Sequence, residues 1–255
     1  MTSPSLVTSD LTIRFGGHVA VNSVSCAFTP GELTVIVGPN GAGKTTYFNL
    51  ISGQLSASSG TVTKDGVNIT GMSPSARAGQ GIGRAFQLTN LFPQLTVLEN
   101  IRLAVQARAG AGWRMFTPVG NFRRLTEKAE HYLEVTRLSK LAHQPAANLP
   151  HGDQRKLEVA LLMAMEPDVY MFDEPTAGMS LDHAPDVLDL IAGIKADTSK
   201  TVLLVEHKMD VVRALADRII VLHNGELLAD GDPTEVMNSQ IVRDVYLGRA
   251  TEGAA

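Results

Sequence analysis

The apolar residues fall into short runs of strand length broken by glycine, with one long stretch of helical spacing between them. Leu11–Phe15 and Val19–Phe28 alternate loosely between apolar and polar residues and read as antiparallel strands joined at Gly16-Gly17. After the turn Pro30-Gly31, Leu33–Val37 is short and mostly apolar, as suits a buried parallel strand. It runs directly into Gly38–Thr46, and Tyr47–Ser52 then looks helical. Gly60–Ile69 reads as another hairpin, turning at Lys64-Asp65-Gly66. Gly79–Gly83 is glycine-rich and leads to Gln87. From Val97 to Met165 the pattern is mainly helical, clearest in Leu125–Leu138 and Arg155–Met165. Breaks fall at Arg108 to Phe122 and at Asn148–Gly152, where Pro150 suits a helix start.

Beyond this stretch, Val169–Phe172 is a short apolar strand ending in Asp173-Glu174, and Val202–Val205 is another ending in Glu206-His207. Ile219–Leu222 precedes the turn His223-Asn224-Gly225, and one or two short helices and a small-residue tail lead to Ala255. No internal repeat or low-complexity tract interrupts this order. The pattern predicts an α/β chain: a parallel core split by a helical insertion, with an antiparallel edge. Strands that end in polar residues place those residues at one carboxyl edge of the sheet, where such sheets bind ligands.

Composition narrows the picture. A chain of 255 residues suits one compact unit with lobes, and 44% hydrophobic against 19% charged residues excludes a disordered chain. The net charge of −4 argues against a nucleic-acid binder. Cys26 is the only cysteine, so no disulfide forms within the chain, which fits a reducing compartment. No apolar run has the length of a membrane span, and Met1–Asp10 lacks the basic start and apolar stretch of a signal peptide. A cytosolic protein is expected, with any membrane work done through a partner.

The chemistry enters at Gly38-Pro39-Asn40-Gly41-Ala42-Gly43-Lys44-Thr45, which fits the G-x-x-x-x-G-K-[ST] pattern between a strand and a helix. Its glycines let the backbone wrap a phosphate, and the helix start adds its positive dipole end. Lys44 brings a point charge to the β- and γ-phosphates, and Thr45 a hydroxyl to Mg²⁺. Asp173, at a strand end, can hold Mg²⁺ through water, and Glu174 can polarise an attacking water as general base. His207 ends a third strand at the same edge, where it is either a structural hydrogen-bonder or a neighbour of the γ-phosphate.

Over almost its whole length the sequence resembles the ATP-binding subunit of ABC transporters. Gly38–Thr45 matches the P-loop, Gln87 the Q-loop glutamine, Val169–Glu174 the Walker B strand and its glutamate, and His207 the switch histidine. Leu149-Pro150-His151-Gly152-Asp153-Gln154 lies where the signature motif falls, and Ala177-Gly178-Met179-Ser180 at the D-loop. The resemblance implies a P-loop (RecA-like) mixed-sheet fold with an inserted helical subdomain. It implies an ATPase that uses ATP and Mg²⁺, with Phe15 stacking on adenine and Gly38 to Thr46, Leu149 and Gly152 contacting nucleotide. Thr45, Gln87 and Asp173 would serve the metal, and Glu174, His207, Gln87 and Lys44 catalysis. The expected bounds are 5–87 and 166–235 for the ATP-binding core, 88–165 for the helical subdomain and 236–255 for a C-terminal helix and tail.

Asn40–Thr46, Gly81–Gln87, Glu174–Met179 and Val245-Tyr246-Leu247-Gly248 are similar to the group that imports branched-chain and other hydrophobic amino acids, or urea. The loop around Trp113 and Phe116 also resembles that group. The implied partners are a second ATP-binding subunit, two integral membrane permease subunits and, indirectly, a substrate-binding protein. The implied place is the cytoplasmic face of the membrane, with no role for nucleic acid.

The signature departs from the usual Leu-Ser-Gly-Gly-Gln. Pro150 has neither hydroxyl nor N–H, His151 replaces the first glycine, Asp153 adds a negative charge, and Ser180 replaces the D-loop aspartate. In the family this segment caps the γ-phosphate of the opposite subunit, so the departures predict an asymmetric heterodimer. A regulatory, non-catalytic subunit is the alternative, and retention of Glu174 and His207 argues against it. A nucleic-acid or ribosome-acting ABC ATPase would want tandem cassettes or a basic surface, and a P-loop kinase would lack the Gln87, signature and His207 series.

Overall fold

A computed structural model describes residues 3–85, 91–110, 119–179 and 184–246. β1 (Leu6–Phe15), β2 (His18–Phe28) and β3 (Leu33–Val37) lead to α1 (Lys44–Ser52), β4 (Ser59–Lys64), β5 (Val67–Asn68), α2 (Pro74–Gly79) and β6 (Ile82–Ala85). Next come α3 (Val97–Arg108), α4 (Val119–Val135) and α5 (His151–Ala164). They are followed by β7 (Val169–Asp173), α6 (Ala184–Lys195), β8 (Thr201–Val205), α7 (Met209–Leu215), β9 (Arg218–His223), β10 (Glu226–Gly231), α8 (Pro233–Asn238) and α9 (Gln240–Tyr246). The chain divides into two units. The first takes Met1–Ile82, Asp168–Glu174 and Lys195–Ala255, and the second Gly83–Pro167 and Pro175–Ile194.

The first unit holds an antiparallel sheet in the order β2-β1-β4-β5 and a larger sheet in the order β10-β9-β3-β8-β7-β6, whose edge strand begins at Ile82. Every residue of β3, β7 and β8 is buried. Strands covered on both faces read as continuous apolar runs, and these three pair in parallel, Val35 opposite Leu204 and Met171 opposite Leu203. β8 lies between β3 and β7, so the segments after Val37, Asp173 and Val205 leave one edge side by side. Phe28, Ile36, Tyr47, Phe48 and Leu203 belong to the core of this unit.

One buried cation ties the far end of α1 to this core. Arg77 is 2% exposed, and its guanidinium donates to Leu50 O and Ile51 O at 2.6 Å, Thr70 O at 2.7 Å and Met72 O at 3.2 Å. The last carbonyls of a helix have no partner within it, and a cation there also complements the helix dipole. Burial lowers the Arg77 pKa from its ordinary value. Cys26, also buried, has its thiol pushed up to about 11 chiefly by desolvation, which leaves it protonated and inert near neutrality.

In the second unit α3 opens on a capping box, with Glu99 N donating to Thr96 Oγ1 at 3.2 Å and Thr96 N to Glu99 Oε2 at 2.8 Å. Val97, Ile101, Ala129, Leu133, Leu157 and Ala160 belong to its core. Buried Asn100 holds the preceding loop by donating to the carbonyls of Phe92, Leu95 and Thr96 and accepting from Phe92 N.

Several expectations shift. β1 begins five residues before Leu11, at Leu6, and pairs with β4 as well as β2. The helix expected over Leu125–Leu138 runs from Val119 and stops at Val135, because Arg137 adopts φ +59° and Leu138 N turns back to Leu133 O at 2.8 Å. Pro150 is the N-cap of α5 rather than its first helical residue. The C-terminal stretch contains a strand, β10, before its helices, joined to β9 through Asn224 and Gly225 at φ +50° and +80°. Gln87, Trp113, Phe116, Ser180, Leu247 and Gly248 lie outside the described residues.

Candidate functional site

The first unit carries a cleft of about 430 Å³ at the carboxyl edge of its larger sheet, lined by Asn40 to Thr46, Phe15, Glu174 and His207. Its floor is a loop that only glycine can form. Gly38 has φ +149°, and a Cβ there would lie 2.1 Å from Leu222 O. Gly43, the N-cap of α1, has φ +94°, and its Cβ would lie 2.5 Å from Ala20 O. The loop is held from outside by the β9–β10 turn, where Gly225 N donates to Ala42 O at 3.1 Å and Asn22 N to Gly225 O at 2.8 Å.

Lys44, the first helical residue, is 6% exposed and folds back over the loop. Its Nζ donates to Gly38 O at 2.8 Å and Pro39 O at 3.0 Å. Burial lowers its pKa from the ordinary lysine value, while Glu174 and Asp173 act in the opposite direction. Thr45 and Gly41 are exposed at the mouth of the loop, and Thr46 is half-buried beside them. Phe15 ends β1 and is 49% exposed, an apolar ring left in solvent beside the loop.

Asp173 is the last residue of β7 and is buried. Glu174 follows with φ +49°, a left-handed conformation that costs a non-glycine residue strain, and its N–H donates to Val205 O at 3.0 Å. That bond turns the carboxylate out of the sheet toward β8, where Glu174 Oε1 meets His207 Nε2 at 2.6 Å. The His207 main-chain N–H donates to the buried Glu206 Oε2 at 2.7 Å, which fixes the backbone from which the imidazole projects. Lys44 at the start of α1, Asp173 and Glu174 at the end of β7 and His207 just past β8 thus gather at one edge of the sheet.

Thr45 and Asp173 offer hard oxygen donors of the kind that Mg²⁺ takes in small number beside phosphate oxygens and water. Among the described residues no group of three or more His, Cys, Asp or Glu gathers to hold a metal without such help.

Leu149 and Gly152 do not line this cleft and lie in the second unit. Leu149 packs in the helical core and its carbonyl accepts from Gln154 Nε2 at 3.0 Å, while Gly152 is buried in the first turn of α5. His18 and Ala20 line the cleft without having been singled out. The only available signal was their place just past the Gly16-Gly17 turn. The second unit also has a groove of about 480 Å³, lined mainly by apolar residues such as Phe92, Leu103, Leu161 and Met165 together with Arg84 and Glu158. Phe92 is 56% exposed there. Burial raises the Glu158 pKa, and Arg155, 2.9 Å away, pulls it back.

A P-loop, a strand-end Asp-Glu pair and a histidine from the intervening strand define an ATP-binding cassette. The ABC transporter family model matches residues 21–177, and the chain belongs to that family as an ATPase subunit. More particularly, it is 38% identical over 257 residues to the high-affinity branched-chain amino acid transport ATP-binding protein LivG of Salmonella typhimurium, covering 98% of this chain and all of that one. It is equally similar, with the same coverage, to BraF of Pseudomonas aeruginosa, which carries the same description. In structure it resembles the ADP conformation of MJ1267, an ATP-binding cassette of an ABC transporter, with TM-score 0.83 and 29% identity over 97% of this chain and all of that one. It also resembles the dimeric, post-hydrolysis form of the cassette MJ0796 bound to ADP and Pi, with TM-score 0.75 and 25% identity over 89% of this chain and 98% of that one.

Proposed function

We propose that this chain hydrolyses Mg²⁺-ATP to drive a membrane importer for branched-chain or other hydrophobic amino acids. The observation that carries the hydrolytic reading is the contact of Glu174 with His207 at the mouth of a P-loop that holds Lys44. The substrate class is taken from the relatives named for branched-chain amino acid transport.

In this mechanism the loop N–H groups and the α1 start bind the β- and γ-phosphates, and Lys44 exchanges its bonds to Gly38 and Pro39 for phosphate oxygens. Burial of Lys44 strengthens that exchange, because a partly desolvated ammonium gains more from an anion than one in water. Phe15 offers the ring on which adenine stacks. Mg²⁺, when bound beside Thr45 and Asp173, supplies neutralisation of phosphate charge, with Gln87 assigned to it from its motif. Glu174 orients a water at the γ-phosphorus and takes its proton as the Pγ–O bond to ADP breaks. His207 fixes the carboxylate while this happens.

Two cassettes are required for the working unit, with the N-terminus of α5 meeting the nucleotide of the second. Pro150 supplies no side-chain cap or N–H there, so the better arrangement is a heterodimer. A partner with an intact signature completes this chain's site, and this chain serves the partner's site poorly. The apolar groove of the second unit suits a cytoplasmic element of the permease subunits, because large apolar surface left exposed marks an interaction site. No helix among the described residues is long and apolar enough to cross a membrane. A place at the cytoplasmic face, reached through the permease subunits, follows from the relatives' role as ATP-binding proteins of transport. The test is hydrolysis by the purified chain, alone and with the second cassette and the permease. Low activity alone that rises with the partners supports the motor. Nucleotide binding with no hydrolysis in any combination points to a regulatory subunit instead.

A further inference from the structure

The first turn of α5 carries a carboxylate, Asp153, at the helix end assigned to a second subunit's nucleotide, and the chain answers it internally. Lys156 Nζ lies 2.6 Å from Asp153 Oδ1, one turn along the same helix, and 3.6 Å from Asp186 Oδ2 in the first turn of α6. Asp186 Oδ1 accepts from Arg137 Nη1 at 3.0 Å. Arg137 stands just past the end of α4 in a left-handed conformation. All four side chains belong to the second unit, and they alternate in sign to a net charge of zero.

Burial ranks the links. Lys156 is 12% exposed, Asp153 23% and Asp186 34%, whereas Arg137 is 67% exposed at the outer end. The near-buried ammonium is therefore the centre of the series. A lysine has three donors and can serve two carboxylates at once. A carboxylate in a helix's first turn competes for the N–H groups that an incoming anion would use, and repels that anion. Lys156 draws the Asp153 carboxylate along the helix and cancels its charge.

We propose that Lys156 is a positioning residue for the face that meets the second subunit's nucleotide. It neutralises Asp153 and, through Asp186, fixes the start of α5 to the start of α6. The altered signature is thereby kept able to receive a phosphate. This inference rests on the proposed function, in which the N-terminus of α5 faces a nucleotide.

The test is ATP-dependence of the hydrolysis at the partner's site, isolated by Glu174→Gln in this chain, in the assembled transporter carrying Lys156→Met, Lys156→Arg, or Lys156→Met with Asp153→Asn. Lys156→Met should raise the KM for ATP roughly fivefold to tenfold with kcat within about twofold, as expected when binding and not chemistry is weakened. Lys156→Arg should be close to wild type. Adding Asp153→Asn to Lys156→Met should bring KM back to within about twofold, because the uncancelled charge is gone. A merely structural lysine gives no such recovery, since the second change removes one more partner from the network. An unchanged KM in Lys156→Met, or no recovery in the double variant, overturns the proposal. If Lys156→Met does not fold, Lys156→Gln with and without Asp153→Asn is read by the same criteria. Failure of the underlying reading shows separately, as hydrolysis near the wild-type rate in a complex whose only change is Glu174→Gln.

Discussion

The cleft of the first unit and the α5 start of the second are built on opposite terms. In the cleft the loop and strand ends are held from behind: Gly225 N donates to Ala42 O, Glu174 N to Val205 O, and the His207 main-chain N–H to Glu206 Oε2. At the start of α5 the N-cap is a proline with no side-chain bond, and the nearest carboxylate must be cancelled by Lys156. The first region is organised for the chain's own chemistry. In the proposed dimer the second is what the chain presents to a partner, and its departures from the usual signature leave the first intact. An intact cleft beside a weak α5 start is the combination that the proposed asymmetric pairing permits.

Disabling the cleft alone gives the largest expected effect. Lys44→Met should lower kcat/KM for ATP on the order of a thousandfold, because it removes the charge aimed at the transferring phosphoryl group. Lys44→Arg adds the pH dependence. With the Lys44 pKa lowered by burial, ATP affinity of the wild type should fall as pH rises through that lowered value, earlier than for an ordinary lysine. The arginine variant should lack that fall, since its guanidinium keeps its proton there.

Next in size is Arg77→Met, which removes a donor from four carbonyls inside the first unit and leaves Leu50 O only its long bond from Gly53 N at 3.4 Å. A loss of about 3 kcal/mol in chemical denaturation is expected, from unsatisfied buried acceptors at the end of the P-loop helix. Smaller again, Gly225→Val forces a φ of +80° on a branched residue whose Cβ would sit 2.8 Å from Ala20 O. ATP affinity should drop roughly tenfold, matching about 1.4 kcal/mol of strain passed to the loop it supports. The smallest effect is a gain. Pro150→Ser restores a helix cap worth about 1 kcal/mol, so turnover at the partner's site should rise by roughly twofold to fivefold while this chain's own site is unchanged.

The parts legible in the sequence were those written in local pattern. Leu33–Val37, Val169–Phe172 and Val202–Val205 are unbroken apolar runs, and that pattern carried the parallel core and the strand ends that bear Lys44, Glu174 and His207. What stayed hidden depends on contacts far apart in the chain. β10 reads Glu226-Leu227-Leu228-Ala229-Asp230-Gly231, half-buried with no strong β signal, and becomes a strand because β9 pairs with it. β6 is only Ile82-Gly83-Arg84-Ala85, too short and too glycine-rich to announce itself. Arg77 looks like one more surface cation until α1 and the segment before α2 enclose it. The support of the P-loop by Gly225 spans most of the chain. The early end of α4 was missed because Thr136-Arg137-Leu138 keeps helical periodicity while Arg137 has already left helical φ.

In the proposed asymmetric pair this chain's own site is the working one. The direct measurement is the ATP turnover of the assembled transporter with Glu174→Gln in this chain only, beside the wild type at saturating Mg²⁺-ATP. Removing the general base should cost most of the turnover, about a hundredfold or more, with nucleotide binding intact and only slow hydrolysis left at the partner's site. Turnover that stays near the wild-type level would contradict it, and would place the working site in the other subunit.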